Sequence, residues 1–410
     1  MERTTCCIVG GGPAGMVLGL LLARCGVAVT ILEKHGDFLR DFRGDTVHPS
    51  TLSLLDDLGL AARFERLPQR RVHTVQLPVG RGGKRLTVGR LDSLPGKYKY
   101  IAMVPQWDLL NLLADEGGRE PDFDLRMNTE AVSFLREEGR VTGVRYRTSD
   151  GVTGVVRADL TVACDGRGSL ARQLPELRLR RFPCPMDAWW FRLPRLPQDP
   201  EGLVGNAGDR FLTAMIDRGD YWQCGAMIPK GTDAERRAAG LDRFMCQFAD
   251  TAPWLGDRVH ALESWDQVQL LDVRLDRLRR WHLPGLLCIG DAAHAMSPIL
   301  GIGINLAVQD AVAAARHLAT PLRAGTVVSR DLLRVQRRRW PTAAATQALQ
   351  RIAHAQVISP VLDGSVDANA SRPTRLVVRG IMATPGLSRL PGYFFAYGAL
   401  RERPPAAARR

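Results

Sequence analysis

Blocks of hydrophobic and polar positions divide the chain into segments of different character. Residues 6–9 are a short apolar run of β type, residues 16–23 an apolar run of helical length, and residues 27–32 a second strand. After a polar loop, Leu52, Leu54, Leu55 and Leu58 recur on one helical face, with Ser50 or Thr51 placed to cap it and Gly59 to end it. Alternation over residues 72–88, broken by glycines at 80–83, predicts strands. Residues 107–116 predict a helix, 131–135 and 141–148 a hairpin, and 160–164 a further strand.

The pattern changes from residue 183 to 273. Strand-like aromatic runs at 188–192, 211–216 and 221–228 alternate with Pro- and Gly-rich turns, and one helical stretch, 234–249, interrupts them. That is the pattern of a mainly antiparallel sheet. Residues 286–290 then form a strand and 303–319 a helix, helical patterning continues from 331 to about 361, and a Pro/Ala/Arg tail reads as disordered. The chain leaves an α/β domain and returns to it, so the two domains are interleaved.

Composition narrows the options. The 410 residues are enough for two domains, and the net charge of +13 comes almost wholly from Arg. The basic residues are spread along the chain, with local clusters only at 178–181, 277–280 and 337–339. This distribution fits attraction of phosphorylated small molecules better than nucleic-acid binding. The eight cysteines show no zinc or redox C-x-x-C spacing, so no metal site is expected and a reducing cytoplasm fits best. The first strand begins almost at Met1, and Arg24 interrupts the longest apolar run, so neither a signal peptide nor a membrane span is expected.

The chemistry is carried by a few motifs. Gly10-x-Gly12-Pro13-Ala14-Gly15 stands between the first strand and the first helix, and Glu33-Lys34 ends the second strand. Gly10 permits a tight turn, Gly12 lets backbone approach a pyrophosphate, and Gly15 lets helix and strand pack closely. The helix N-terminus attracts anions, and an acid about twenty positions on can bind a ribose diol. A dinucleotide is therefore expected. Asp165-Gly166 ends another strand, with Ser169 placed to cap the turn that follows. Gly290-Asp291 ends a third, ahead of a Pro- and Gly-rich loop and a helix starting near Ile304-Asn305.

These three motifs, in this order and spacing, resemble those of the single-component FAD-dependent aromatic monooxygenases, the para-hydroxybenzoate hydroxylase superfamily. The resemblance runs over roughly residues 4–350. It implies an α/β fold: a Rossmann-like FAD-binding domain of glutathione-reductase type (1–71, 101–182 and 274–345) interleaved with an antiparallel substrate-binding sheet domain (72–100 and 183–273). A helical C-terminal segment (346–410) follows. It also implies that Gly10, Gly12, Pro13, Ala14 and Gly15 hold the pyrophosphate and Glu33 the adenosine ribose, with Lys34 beside it. Arg43 and Gln106 would contact FAD, and Arg172 would close the Asp165-Gly166 motif. Gly290-Asp291 would bind the ribityl chain. Pro298, Gly301, Gly303, Ile304 and Asn305 would line the flavin. Ile302 replaces the Gln of the Gly-Gln-Gly found in many relatives, which implies a less polar lining.

A second nucleotide fingerprint is absent, so NADH or NADPH would bind transiently, reduce the flavin and leave. Dioxygen would then give a flavin C4a-hydroperoxide that hydroxylates an aromatic, phenolic or polycyclic small molecule. Proton management needs a group beside the substrate. His48 and Asp45 are the candidates, with Arg218 and the run Tyr221-Trp222-Gln223 as pocket lining; His294 is read as supporting its loop. Other readings remain open: an epoxidase or alkene reductase on the same scaffold, and a protein that holds FAD or another ligand without turnover. The W-x-W-x-I-P signature of flavin-dependent halogenases is missing. The aromatic stretch 387–400 is read as packing back on the body rather than lying on a membrane, and the chain as a monomer or homodimer.

Overall fold

Eleven of the twelve residues of the Pro13–Arg24 helix are buried, which is why its sequence is apolar on every face. The helix lies in the largest hydrophobic cluster of a computed structural model that describes residues 2–39, 46–78, 85–92, 94–208, 210–364, 389–398 and 400–410. Fully burying one leucine stabilises a fold by about 1.5–3 kcal/mol, and this helix buries Leu18, Leu20, Leu21 and Leu22 completely. Arg24 ends the apolar run inside the protein. Its guanidinium donates to Glu120 at 2.9 Å and to the Leu58 carbonyl at 2.9 Å.

Beneath the helix lies a parallel sheet in the order Leu286–Cys288, Thr153–Ala163, Glu2–Val9, Val29–Leu32, Phe123–Arg126. An antiparallel pair, Thr129–Glu137 and Arg140–Thr148, branches from the long Thr153–Ala163 strand. All three motifs stand at the same ends of adjacent strands. The central strand delivers Gly10, its neighbour Thr153–Ala163 delivers Asp165, and the strand beyond that, Leu286–Cys288, delivers Gly290. A Cβ on Gly10 would lie 2.7 Å from the Cys164 carbonyl oxygen, and one on Gly15 would lie 2.0 Å from the Gly10 carbonyl oxygen. The glycine spacing therefore follows from close backbone packing.

The second sheet is antiparallel, in the order Leu203–Ala207, Leu212–Asp217, Tyr221–Pro229, Met186–Pro194, Gln269–Leu271. Trp189, Phe191, Trp222, Cys224, Ala226 and Ile228 fill one face against the Leu241–Ala249 helix. The helix expected over 234–249 is broken in two, Asp233–Ala238 and Leu241–Ala249, by Gly240 at φ 98°. The hydrophobic face over Leu52 to Leu58 also differs from expectation. Its helix, Pro49–Asp57, begins one residue before Ser50, with His48 as N-cap and Pro49 in the first turn.

The helices Gly303–Arg323 and Ser329–Ala353 close the α/β side, and the second runs on into a π-helical turn, His354–Ile358. The tail corrects the expectation of disorder. Glu402 is paired to Arg338 at 2.8 Å, Ala408 is fully buried, and the Arg410 backbone donates to the Asp57 carbonyl. Within 387–400, Ala396 and Tyr397 are buried against Leu91 and Leu94, and the Tyr397 hydroxyl donates to the Pro95 carbonyl at 2.8 Å. Among the described residues no helix is long and apolar enough to cross a membrane.

Candidate active site

The first motif offers an uncapped helix N-terminus. Gly12 is the N-cap of Pro13–Arg24, no side chain satisfies the first turn, and a Cβ on Gly12 would meet nothing within 4 Å. Pro13 and Ala14 open the helix. Free N–H groups beside open space suit an anion. Glu33 is buried, and its carboxylate accepts from the backbone N–H of Gly11 at 2.8 Å and of His35 at 3.1 Å. Lys34, the next residue, is exposed.

The second motif joins the third through one arginine. Arg172 Nε donates to the Ala292 carbonyl at 3.0 Å, the same guanidinium donates to the Asp291 carbonyl, and it pairs with Asp276 at 2.9 Å. Asp165 accepts from the Leu170 N–H at 3.0 Å, and Ser169 accepts from the Ala171 N–H as its capping position suggests. Burial pushes the Asp165 carboxyl above the usual carboxylate range, against the pull of Ser169, Leu170 and Arg172. One of its oxygens is buried without a partner among the described residues. Gly166 starts the turn beside it. The Asp291 side chain, by contrast, is 36% exposed and stands 3.7 Å from Arg167, open to a polar ligand.

Behind Gly290 lies a buried charge network. Asp310 accepts from the Gly290 N–H at 3.1 Å and lies 2.6 Å from His294 Nε2 and 2.8 Å from Arg339 Nε, and Arg339 reaches Glu402 of the tail at 3.4 Å. Burial pushes the Asp310 carboxyl up, but His294 and Arg339 outweigh it and hold it below the usual range. His294 is 1% exposed and its ring braces the loop from inside.

The loop that follows carries Pro298, Gly301 and Gly303. Thr46 Oγ1 donates to the Gly301 carbonyl at 2.6 Å, and His48 Nε2 lies 3.0 Å from the same oxygen. His48 is therefore fully buried and engaged with the loop backbone, an arrangement that sequence reasoning missed. With that carbonyl as acceptor, Nε2 carries the proton. Gly303 begins the Gly303–Arg323 helix, whose first turn holds Ile304 and Asn305 without a side-chain cap. The Asn305 carbonyl oxygen accepts from Ser50 and Thr51, while its amide nitrogen is buried with no partner among the described residues. An unmet donor at an uncapped helix terminus fits an electron-rich ring system.

Gln106 opens the Gln106–Gly117 helix and is half-buried. Arg218 Nε donates to Gln223 at 3.0 Å, and burial raises the neighbouring Asp108 carboxyl in spite of the smaller opposing pull of the Arg218 charge. Arg218 thus lies between the antiparallel sheet and the Gln106–Gly117 helix. Trp222, expected to line the pocket, lies in the aromatic core of the opposite face and donates to Asp199 at 2.9 Å. Tyr221 lies under the Arg192 guanidinium, 4.8 Å from the ring centroid. Arg43 and Asp45 fall outside the described residues.

The described groups fit an FAD: an anion site at Gly12, a buried carboxylate at Glu33, an open carboxylate at Asp291, and unmet polar atoms at Asp165 and Asn305. A protein family described as FAD binding domain matches residues 3–350. The chain belongs to that FAD-dependent monooxygenase family. Among its relatives, a 6-methylpretetramide 4-monooxygenase from Streptomyces rimosus is 34% identical, over 95% of this chain and 90% of the relative. The OxyS anhydrotetracycline hydroxylase structure, also from Streptomyces rimosus, has a TM-score of 0.76 at 23% identity, covering 98% of this chain and 77% of that one. PqsL from Pseudomonas aeruginosa has a TM-score of 0.73 at 21% identity, covering 90% of this chain and 99% of its own. The last two likenesses concern the fold. The protein is an FAD-dependent monooxygenase, with NAD(P)H and dioxygen as the reductant and co-substrate typical of the class.

Proposed function

We propose that this monooxygenase hydroxylates a flat, polycyclic phenolic molecule held between the antiparallel sheet and the Pro298–Gly303 loop. The observation that carries the reading is a cross-strand row. Gly205 pairs with Ala214, Ala214 with Gly225, and Gly225 with Trp190, so a row of three small residues ends at one indole. The Trp190 ring covers Gly225 so closely that a Cβ there would lie 2.9 Å from it. This face opposes the aromatic core, and Met186, Ala188 and Leu212 on it share a cluster with Ile299 of the loop. A trough floored by small residues suits a planar ring system. The Trp190 Nε1 donor, buried without a partner among the described residues, suits an oxygen on its rim. The 34% identical relative is a monooxygenase of 6-methylpretetramide, which supports the same class.

In this reading Gly10, Gly12, Pro13, Ala14 and Gly15 hold the FAD pyrophosphate and Glu33 the ribose, with Lys34 at the rim. Gln106, Asp165, Gly166, Arg172, Gly290 and Asp291 hold the middle of the cofactor. Pro298, Gly301, Gly303, Ile304 and Asn305 line the flavin. Bound FAD, reduced by NADH or NADPH, supplies the activation of dioxygen. The chain's own part is to orient the substrate, exclude water and supply hydrogen-bond donors. Arg218 is placed to balance negative charge at the sheet end of the site. His48 serves the site by fixing the Gly301 carbonyl, not as a free base.

Oxygen-electrode and NAD(P)H-oxidation assays against a panel of phenols, quinones and polycyclic polyketides test the reading. It predicts that one polycyclic phenol stimulates both rates at least about tenfold, as substrate-gated reduction requires. Equal rates with every compound would overturn it.

A further inference from the structure

The loop from Ala295 to Gly301 is held on one side by side chains of a single helix. Gln347, Gln350 and His354 lie three and four residues apart, on one stripe of the helix and its continuation. Gln347 Nε2 donates to the Asp276 carbonyl at 2.7 Å and the Ala295 carbonyl at 3.1 Å. Gln350 accepts from the Ser297 N–H at 3.2 Å and donates to the carbonyls of Ser297 at 2.8 Å and Ile299 at 3.1 Å. His354 Nε2 lies 2.9 Å from the Ser297 hydroxyl, which also accepts from the Ile299 N–H. At its far end the loop is held by Thr46 and His48 on the Gly301 carbonyl. Between these two fixed ends Pro298, Ile299 and Leu300 form an arch, and Ile299 packs into the cluster on the substrate side of the antiparallel sheet.

His354 is an expensive residue for this position. It is 3% exposed, its Nδ1 has no partner among the described residues, and burial pulls its pKa down to about 4. An unmet buried polar atom is destabilising, and an apolar side chain of similar size would avoid that cost. The helix also widens at this residue into the π-helical turn His354–Ile358, a distortion frequent at functional sites. Ile358, at the end of that turn, joins the cluster that Ile299 enters. Both the imidazole and the widened turn thus face the arch.

We propose that His354 is a positioning residue that acts through Ser297 to fix the Pro298–Gly301 arch against the substrate sheet, and so sets how much of the oxygen consumed enters substrate. The inference rests on the monooxygenase reading above. In a coupled turnover two electrons from NAD(P)H and one dioxygen place one oxygen atom in the product and the other in water. In an uncoupled turnover the same two electrons and two protons leave as hydrogen peroxide. A loosened arch admits water and favours the second course.

The test compares His354→Leu, His354→Gln and Ser297→Ala with the wild-type holoenzyme, measuring product and peroxide per NAD(P)H oxidised, and FAD affinity by quenching of flavin fluorescence. One hydrogen bond is worth about 1 kcal/mol, or roughly fivefold. His354→Leu and Ser297→Ala are expected to raise peroxide relative to product about fivefold while FAD affinity stays within about threefold. His354→Gln, whose amide can still donate to Ser297, restores most of the coupling. Wild-type coupling in both His354→Leu and Ser297→Ala would overturn the inference alone. So would loss of coupling only in proportion to loss of FAD, since His354 would then merely stabilise the fold. A wild-type enzyme that makes peroxide but no product with every compound would overturn the monooxygenase reading and the inference with it.

Discussion

The Arg172 guanidinium lies 2.9 Å from the Asp276 carboxylate, and both side chains are almost wholly buried, at 7% and 4% exposure. The same guanidinium holds the carbonyls of Asp291 and Ala292, so one side chain ties the second motif to the third. Removing one partner of a buried pair costs about 3–5 kcal/mol because the other charge is stranded. Arg172→Met is expected to lower the unfolding free energy of the apoprotein by that order and to weaken FAD binding. Urea titration checks the first effect; an unchanged midpoint would mean that the pair carries no stability.

The tail offers a second test of buried charge. Glu402 is 1% exposed on its side chain and faces Arg338 and the fully buried Arg339. Glu402→Gln leaves Arg339 with Asp310 alone and is expected to cost about 2–4 kcal/mol, less than complete loss of a pair. Deleting residues 400–410 should cost at least as much, because Ala408 is also buried. Thermal unfolding reads both, and a truncated protein as stable as wild type would contradict a structural role for the tail.

The strand, glycine and helix pattern was legible because each glycine answers a local packing constraint, as Gly10 and Gly15 show. The tail was not, since Pro, Ala and Arg carry no periodicity and Glu402 is ordered by distant arginines. Trp189 and Trp190 differ by one step along one strand, and that step exchanges the aromatic core for the opposite face, a register the sequence does not set. His48 was recognised as chemically capable, but its partner is a backbone carbonyl more than two hundred residues away. His354 gave no signal of its own, because its value depends on the loop it meets.

Acid should weaken the fold through His354. Its imidazole titrates near 6.5 when unfolded and near 4 when buried. Between those values the unfolded chain holds a proton that the folded chain lacks. Stability is therefore complete above 6.5, is lost as pH falls toward 4, and levels off below. The full contribution is on the order of 3 kcal/mol. His354→Gln should flatten that segment of the stability curve, as measured by urea titration from pH 7 to 4. An identical slope in the variant would contradict the assignment.

The trough makes a prediction about substrate size. Gly225→Val introduces side-chain carbon where a Cβ alone would lie 2.9 Å from the Trp190 ring, so the indole must move into the trough. KM for a polycyclic substrate is expected to rise about tenfold or more, while FAD affinity is unchanged. Trp190→Phe keeps the plane but removes the indole donor, and should cost about fivefold in kcat/KM. Equal effects of Gly225→Val on large and small phenols would contradict the placement of the pocket.

Under the proposed function, this protein inserts one atom of dioxygen into a polycyclic phenol at the expense of NAD(P)H. Turnover under 18O-labelled dioxygen, followed by mass spectrometry of the product, tests it most directly. The expected result is one labelled oxygen atom per product molecule and none when the label is in water. Product without label, or label recovered only as hydrogen peroxide with every polycyclic substrate, would contradict it.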